Sequence, residues 1–196
     1  MDQAPSLQAT TAATATTAPH GLARFNAAPF LVAEAALLEC CGSTRWAHRV
    51  ASYRPYPDLD SLLAASDEAG YDLSPTDVAE ALAGEAGPSL REDAPHAARL
   101  ALRAAHAAYT TKFGHAFVIC LDGHRPSHHV DQVLAGIRAR LAHDPDEERS
   151  VTAEEVRRLA RERIIELVSA PSPGTATDTA PGQETPSPSV ADRLPL

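Results

Sequence analysis

Apolar residues recur at three- and four-residue spacing through most of the chain, with short breaks between stretches, so the pattern predicts helices joined by tight turns. From Phe30 to Cys41 the positions Phe30, Leu31, Ala35, Leu37, Leu38 and Cys41 form one such stripe, closed by Gly42. Ser43 or Thr44 can cap a second helix through Trp46, Val50 and Tyr53. That helix must stop before Arg54-Pro55-Tyr56-Pro57, because proline disfavours helix in its predecessor. Asp60 is expected to cap a helix through Leu62, Leu63 and Ala65, and Ser74-Pro75, with Asp77 following, opens the segment to Ala83.

After a loop at 84–88, Ser89-x-x-Glu92 is a capping box for a long helix reaching Phe113. Its expected buried stripe is Ala97, Leu100, Ala101, Ala104, Ala108 and Tyr109. Pro126-Ser127 begins a helix carrying Val130, Val133, Leu134, Ile137 and Leu141. An acidic loop around Asp144-Pro145-Asp146 is expected to lead to a last helix, capped by Thr152 with Glu155 and striped by Val156, Leu159, Ile164 and Leu167. No stretch alternates as a strand would, so the pattern predicts an all-α, compact single-domain bundle.

One stretch breaks the helical period. Gly114 stands just past the long helix, where glycine enters the left-handed region without steric penalty. Phe117-Val118-Ile119-Cys120-Leu121 then forms an apolar run too short for a core helix. Its backbone N–H and C=O groups are not consumed by a helix, and such groups suit a small polar ligand.

Composition removes the chain ends from this picture. Residues 1–21, rich in Ala and Thr, lack the basic and apolar regions of a signal peptide, and 169–196 is rich in Pro, Ser and Thr. Both are expected to be disordered, leaving 22–168 as the folded domain. The net charge is −9 and the arginines are scattered along helices, which argues against nucleic acid and anionic membrane as partners; no run is long enough to span a bilayer. Three cysteines, two of them adjacent at Cys40 and Cys41, offer no disulfide framework and point to the cytoplasm.

Read in order, Phe25-Asn26, Cys41-Gly42-Ser43-x-Arg45-Trp46-Ala47, Arg54-Pro55-Tyr56, Tyr109-x-x-Lys112-Phe113-Gly114-x-x-Phe117-Val118-Ile119-Cys120, Arg140-Leu141 and Arg163 resemble the landmarks of the 2-oxo-4-hydroxy-4-carboxy-5-ureidoimidazoline (OHCU) decarboxylases of urate breakdown. The resemblance implies an all-α, cofactor-free decarboxylase, often a homodimer, that converts its ureidoimidazoline substrate to (S)-allantoin. It also implies that Ser89, Arg91, Glu92 and Asp93 bind or orient substrate, with Asp93 where the family has Gln. Backbone groups of Phe117, Val118, Ile119, Cys120 and Leu121 would clamp the ring, and Arg163 would hold the leaving carboxylate.

The family's His-Pro pair is missing. Gly84-Glu85-Ala86-Gly87-Pro88 stands in its place, on a loop far shorter than the family's. Decarboxylation leaves an electron pair that must pass into the ring and be protonated on one face, which calls for a positioned proton donor. Glu85 qualifies if burial raises its pKa, and His96 shares a helix face with Glu92. The alternative is a non-catalytic or substrate-diverged paralogue.

Plainer roles compete at each position. Glu92 completes a capping box, Arg163 suits a surface ion pair, and Cys120 suits the core. His115, His124, His128 and His129 are too irregularly spaced for a zinc site, so no metal is expected. Trp46 and Arg54-Pro55-Tyr56 read as packing, with Arg45 expected to brace that corner.

Overall fold

The computed structural model describes residues 20–85 and 96–170. Among them are eight α-helices and no strand: α1 (His20–Ala27), α2 (Phe30–Cys40), α3 (Thr44–Ser52), α4 (Leu59–Tyr71), α5 (Pro75–Ala83), α6 (His96–Phe113), α7 (His129–Arg140) and α8 (Pro145–Ser169). The all-α expectation holds. The short α1 was not predicted.

Two apolar clusters organise the helices. In the first, α8 packs against α1, α2, α4 and α5 through Val156, Ala160, Ile164 and Val168, a four-residue repeat that keeps one face inward along the helix. Gly21 permits this: a Cβ there would lie 1.8 Å from the Val168 carbonyl oxygen, so α1 can reach the end of α8 only without a side chain. The second cluster joins α6 to α7 through Leu102, Tyr109, Phe117, Val133 and Ile137.

Helix starts follow side-chain acceptors. Ser43, fully buried, caps α3 by accepting the Trp46 N–H, while Trp46 donates its indole N–H to the Ser66 carbonyl at 3.0 Å. Ser43→Ala is therefore expected to cost about 1 kcal/mol, read as a lower denaturant midpoint at unchanged slope. The Ser74–Asp77 capping box on α5 is present as expected. Two other starts differ: Asp58, not Asp60, caps α4, and Asp144 caps α8 by accepting the Asp146 and Glu147 N–H groups. The acidic stretch is thus a helix start with Pro145 in its first turn, and Thr152 is a buried residue two turns inside.

Three further expectations are corrected. On α6 the buried residues are Leu102 and Tyr109, while Leu100 is 57% exposed and Ala97, Ala101, Ala104 and Ala108 face outward. Alanine is too small to decide which helix face goes inward; the aromatic and leucine positions decide it. On α2 the inward residues are Ala33, Leu37 and Cys40, and Leu31 is 74% exposed. Arg45 pairs with Asp77 on α5, and Arg54 braces the 54–57 corner instead, donating to the carbonyls of Phe25 and Ala28 at the end of α1. Asn26 and Tyr56 exchange reciprocal bonds at the same corner, which accounts for the Phe25-Asn26 and Arg54-Pro55-Tyr56 pairs as packing. The Ser89-x-x-Glu92 box lies outside the described residues.

Candidate functional site

The break after α6 forms as the sequence predicts. Gly114 has φ +80° and its N–H bonds the Thr110 carbonyl, closing the helix in the left-handed conformation. Residues 116–121 then run without helix or strand pairing. Extended backbone alternates its side chains, and here the alternation joins the two clusters: Phe117, Ile119 and Leu121 enter the α6–α7 cluster, and Val118 enters the α8 cluster.

A buried ion pair fixes this segment from behind. Arg140 on α7 donates to the Val118 carbonyl at 2.7 Å, to Glu148 on α8 at 2.5 and 2.8 Å, and to the Thr152 hydroxyl at 2.8 Å. The Tyr109 hydroxyl also bonds Glu148, and His143 Nδ1 lies 2.8 Å from its other oxygen. Arg140 and Glu148 are 6% and 1% exposed, so each charge depends on its partners rather than on water. Burial alone would raise the Glu148 carboxyl; the bonds from Arg140, Tyr109 and His143 overcome that and hold it below its ordinary value. Burial and the bond to Glu148 push the Tyr109 phenol up to about 12, so it stays a donor.

On the other side of the segment, Phe117, Val118, Ile119 and Leu121 line a cavity of about 220 Å³ together with Glu85 and Arg163. Arg163, on α8, holds Glu85 with both terminal nitrogens, Nη1 to Oε1 at 2.6 Å and Nη2 to Oε2 at 2.9 Å. Nη1 also donates to the Cys40 carbonyl at the end of α2 at 3.1 Å, which satisfies an orphan helix-terminal acceptor. Glu85 raises the Arg163 pKa further, so the guanidinium remains a cation. The fork that grips Glu85 is the geometry a guanidinium offers any carboxylate.

Thus Arg163, Glu85 and, from the 117–121 segment, Phe117, Val118, Ile119 and Leu121 meet at one cavity, which the expected Cys120 does not line. His96 is exposed at the start of α6 and does not line it. Ser89, Arg91, Glu92 and Asp93 lie outside the described residues. The Cys120 N–H donates to Glu155 at 2.6 Å, and its buried thiol, pushed up by burial, lies 3.5 Å from Glu162. Among the described residues no group of three or more His, Cys, Asp or Glu is placed to hold a metal. His115 and His129 are instead bonded to backbone carbonyls.

Sequence reading missed the Arg140–Glu148 network. Its signal was a lone Arg-Leu pair and an acidic stretch taken for a loop. A larger cavity of about 970 Å³ adjoins Glu85 between α5, the 113–116 turn and the first turns of α8. Among its lining residues Lys112 donates to the carbonyls of Leu141 and His143, and Arg149 pairs with Asp146 at the surface.

The family model for OHCU decarboxylase matches residues 26–92 and 84–165. The two stretches overlap where the His-Pro pair is missing. Among solved structures, an OHCU decarboxylase crystallised in the presence of (S)-allantoin shares the fold at 20% identity and TM-score 0.59, over 68% of this chain and 96% of that one. (S)-Allantoin synthase does so at 19% identity and TM-score 0.57, over 74% of this chain and 53% of that one. The chain thus spans about half the length of that synthase. No curated protein sequence matches it. With the matched stretches running from residue 26 to 165, the chain belongs to the OHCU decarboxylase family.

Proposed function

We propose that this chain is a working decarboxylase, which removes the carboxylate of 2-oxo-4-hydroxy-4-carboxy-5-ureidoimidazoline as CO2 and forms (S)-allantoin. The observation that carries this reading is the cavity where Arg163 and the 117–121 backbone meet, in a chain of this family. Arg163 supplies a bidentate cation for the substrate carboxylate, and peptide groups of Phe117, Val118, Ile119 and Leu121 bind the ring. Glu92, with Ser89, Arg91 and Asp93, orients the ureido group. No cofactor is needed, because the substrate ring itself accepts the electron pair. Glu85, which stands where the family carries His-Pro, is the favoured proton donor; His96 is exposed at the start of α6.

The same reading takes 22–168 as the catalytic domain, a homodimer as its assembly and the cytoplasm as its compartment. The free thiols of Cys40, Cys41 and Cys120 fit a reducing milieu, and no described helix is long and apolar enough to cross a membrane. Light scattering on the full chain reads the assembly.

The activity is tested by circular dichroism, with the unstable substrate generated from urate in situ and spontaneous decay subtracted. Protonation on one face gives an optically active product, whereas uncatalysed decay gives a racemate. The expected result is (S)-allantoin in enantiomeric excess. A racemic product from well-folded protein would overturn the activity and leave a diverged substrate or a binding role.

A further inference from the structure

A bidentate carboxylate sits on Arg163, and the chain itself provides it. Glu85 follows Gly84, the C-cap of α5, so its side chain hangs from a turn and can rotate without moving a helix. It lines both cavities and therefore has open space beside it. The groups around the pair are Glu162 and Glu166 on α8, Glu39, Cys40 and Cys41 at the end of α2, and Glu80 on α5, while the larger cavity adds Lys112, His115, Asp146, Glu148 and Arg149. The thiols stay neutral, since burial pushes Cys40 up to about 12 and raises Cys41 as well. Within the smaller cavity Arg163 is the one cation among the lining residues, and a Glu85 carboxylate that leaves it there lies beside Glu162.

We infer that Glu85 is an internal stand-in for the substrate carboxylate: an incoming carboxylate displaces it from Arg163, and the displaced side chain takes up a proton that it delivers to the reacting carbon. This rests on the decarboxylase reading of the site. Two carboxylates beside one guanidinium in a partly buried cavity do not both stay ionised, because each disfavours the other's charge. Exchange therefore loads Glu85 from solvent only when substrate is bound.

The step balances. The C–C bond to the carboxylate breaks, CO2 departs, and its electron pair passes into the ring. The Glu85 proton then bonds to the ring carbon, leaving a carboxylate on Glu85 and consuming one solvent proton per turnover. The product has no carboxylate, so Glu85 regains Arg163 and the site resets. The chain thus supplies from one residue the proton that the missing His-Pro pair cannot.

Isothermal titration calorimetry on the full chain, in two buffers of different ionisation enthalpy, tests this. The probe is diureidoacetate, which carries two ureido groups and a carboxylate on one carbon but no ring to accept an electron pair; (S)-allantoin is the carboxylate-free control. Diureidoacetate is expected to take up about one proton on binding and (S)-allantoin none. Glu85→Gln, isosteric and able to keep one bond to Arg163, is expected to bind diureidoacetate about tenfold more tightly without proton uptake. Its formation of (S)-allantoin should fall about a hundredfold. Binding without uptake by a native chain that still makes (S)-allantoin would overturn the exchange and leave the decarboxylase standing. Weaker diureidoacetate binding by Glu85→Gln would also overturn it, making Glu85 a ligand contact rather than a competitor. Absence of both binding and enantiomeric excess would remove the decarboxylase reading, and the exchange with it.

Discussion

Glu148→Ala is expected to cost about 3–5 kcal/mol of folding stability, because it leaves Arg140 charged, buried and without its carboxylate. Glu148 is 1% exposed and Arg140 6%, so water cannot replace the lost bonds. The Tyr109 and Thr152 hydroxyls lose an acceptor at the same time. Removing both charges, as Arg140→Met with Glu148→Leu, is expected to cost less than Glu148→Ala alone, since the desolvation penalty disappears with the attraction. Denaturant titration of the three proteins separates these outcomes; a double variant weaker than the single would show that shape, not charge pairing, holds the network. The pair also has a pH signature. The folded Glu148 carboxyl titrates below its ordinary value, so its contribution is fully present above the unfolded value and is lost as pH falls through the folded one. As pH falls below the ordinary glutamate value of 4.5 the native chain should therefore lose more stability than Glu148→Gln.

That network also marks the limit of what the chain disclosed as a sequence. The helices were legible because Leu37, Trp46, Leu62, Ile137 and Ile164 are large and periodic, and burying each stabilises one orientation of its helix. The turn at Gly114 was legible because its backbone conformation admits few other residues. Alanine-rich α6 was misread, since equally spaced alanines mark no face and only Leu102 and Tyr109 fix it. The start of α8 was misread because Asp144-Pro145-Asp146 serves a loop and a helix cap equally well until its N–H partners are known. Arg163 and the 117–121 segment were legible through the family pattern, and the cavity that both line supports reading them as one site. The occupation of Arg163 by Glu85 was not, because 78 residues separate the pair and no local rule links a post-helix glutamate to a mid-helix arginine.

Arg163→Ala is expected to lower kcat/KM for (S)-allantoin formation about a thousandfold, the largest functional effect in the molecule. The substrate would lose a bidentate, charge-assisted contact in a cavity that offers no other cation among its lining residues. Arg163→Lys keeps the charge but not the fork, and should recover only part of the loss. Stability changes little by comparison: the lost bond to the Cys40 carbonyl is worth about 1 kcal/mol, and Glu85 hangs from the turn after α5 rather than from a helix. The variant should therefore remain helical by far-ultraviolet circular dichroism while its product loses optical activity, which separates a binding role from a structural one. If Arg163→Ala retained native kcat/KM, the cation would not be the carboxylate's partner. The Glu85–Arg163 pair would then be a helix-to-turn tether, and the substrate would have to be sought in the larger cavity beside Lys112 and His115.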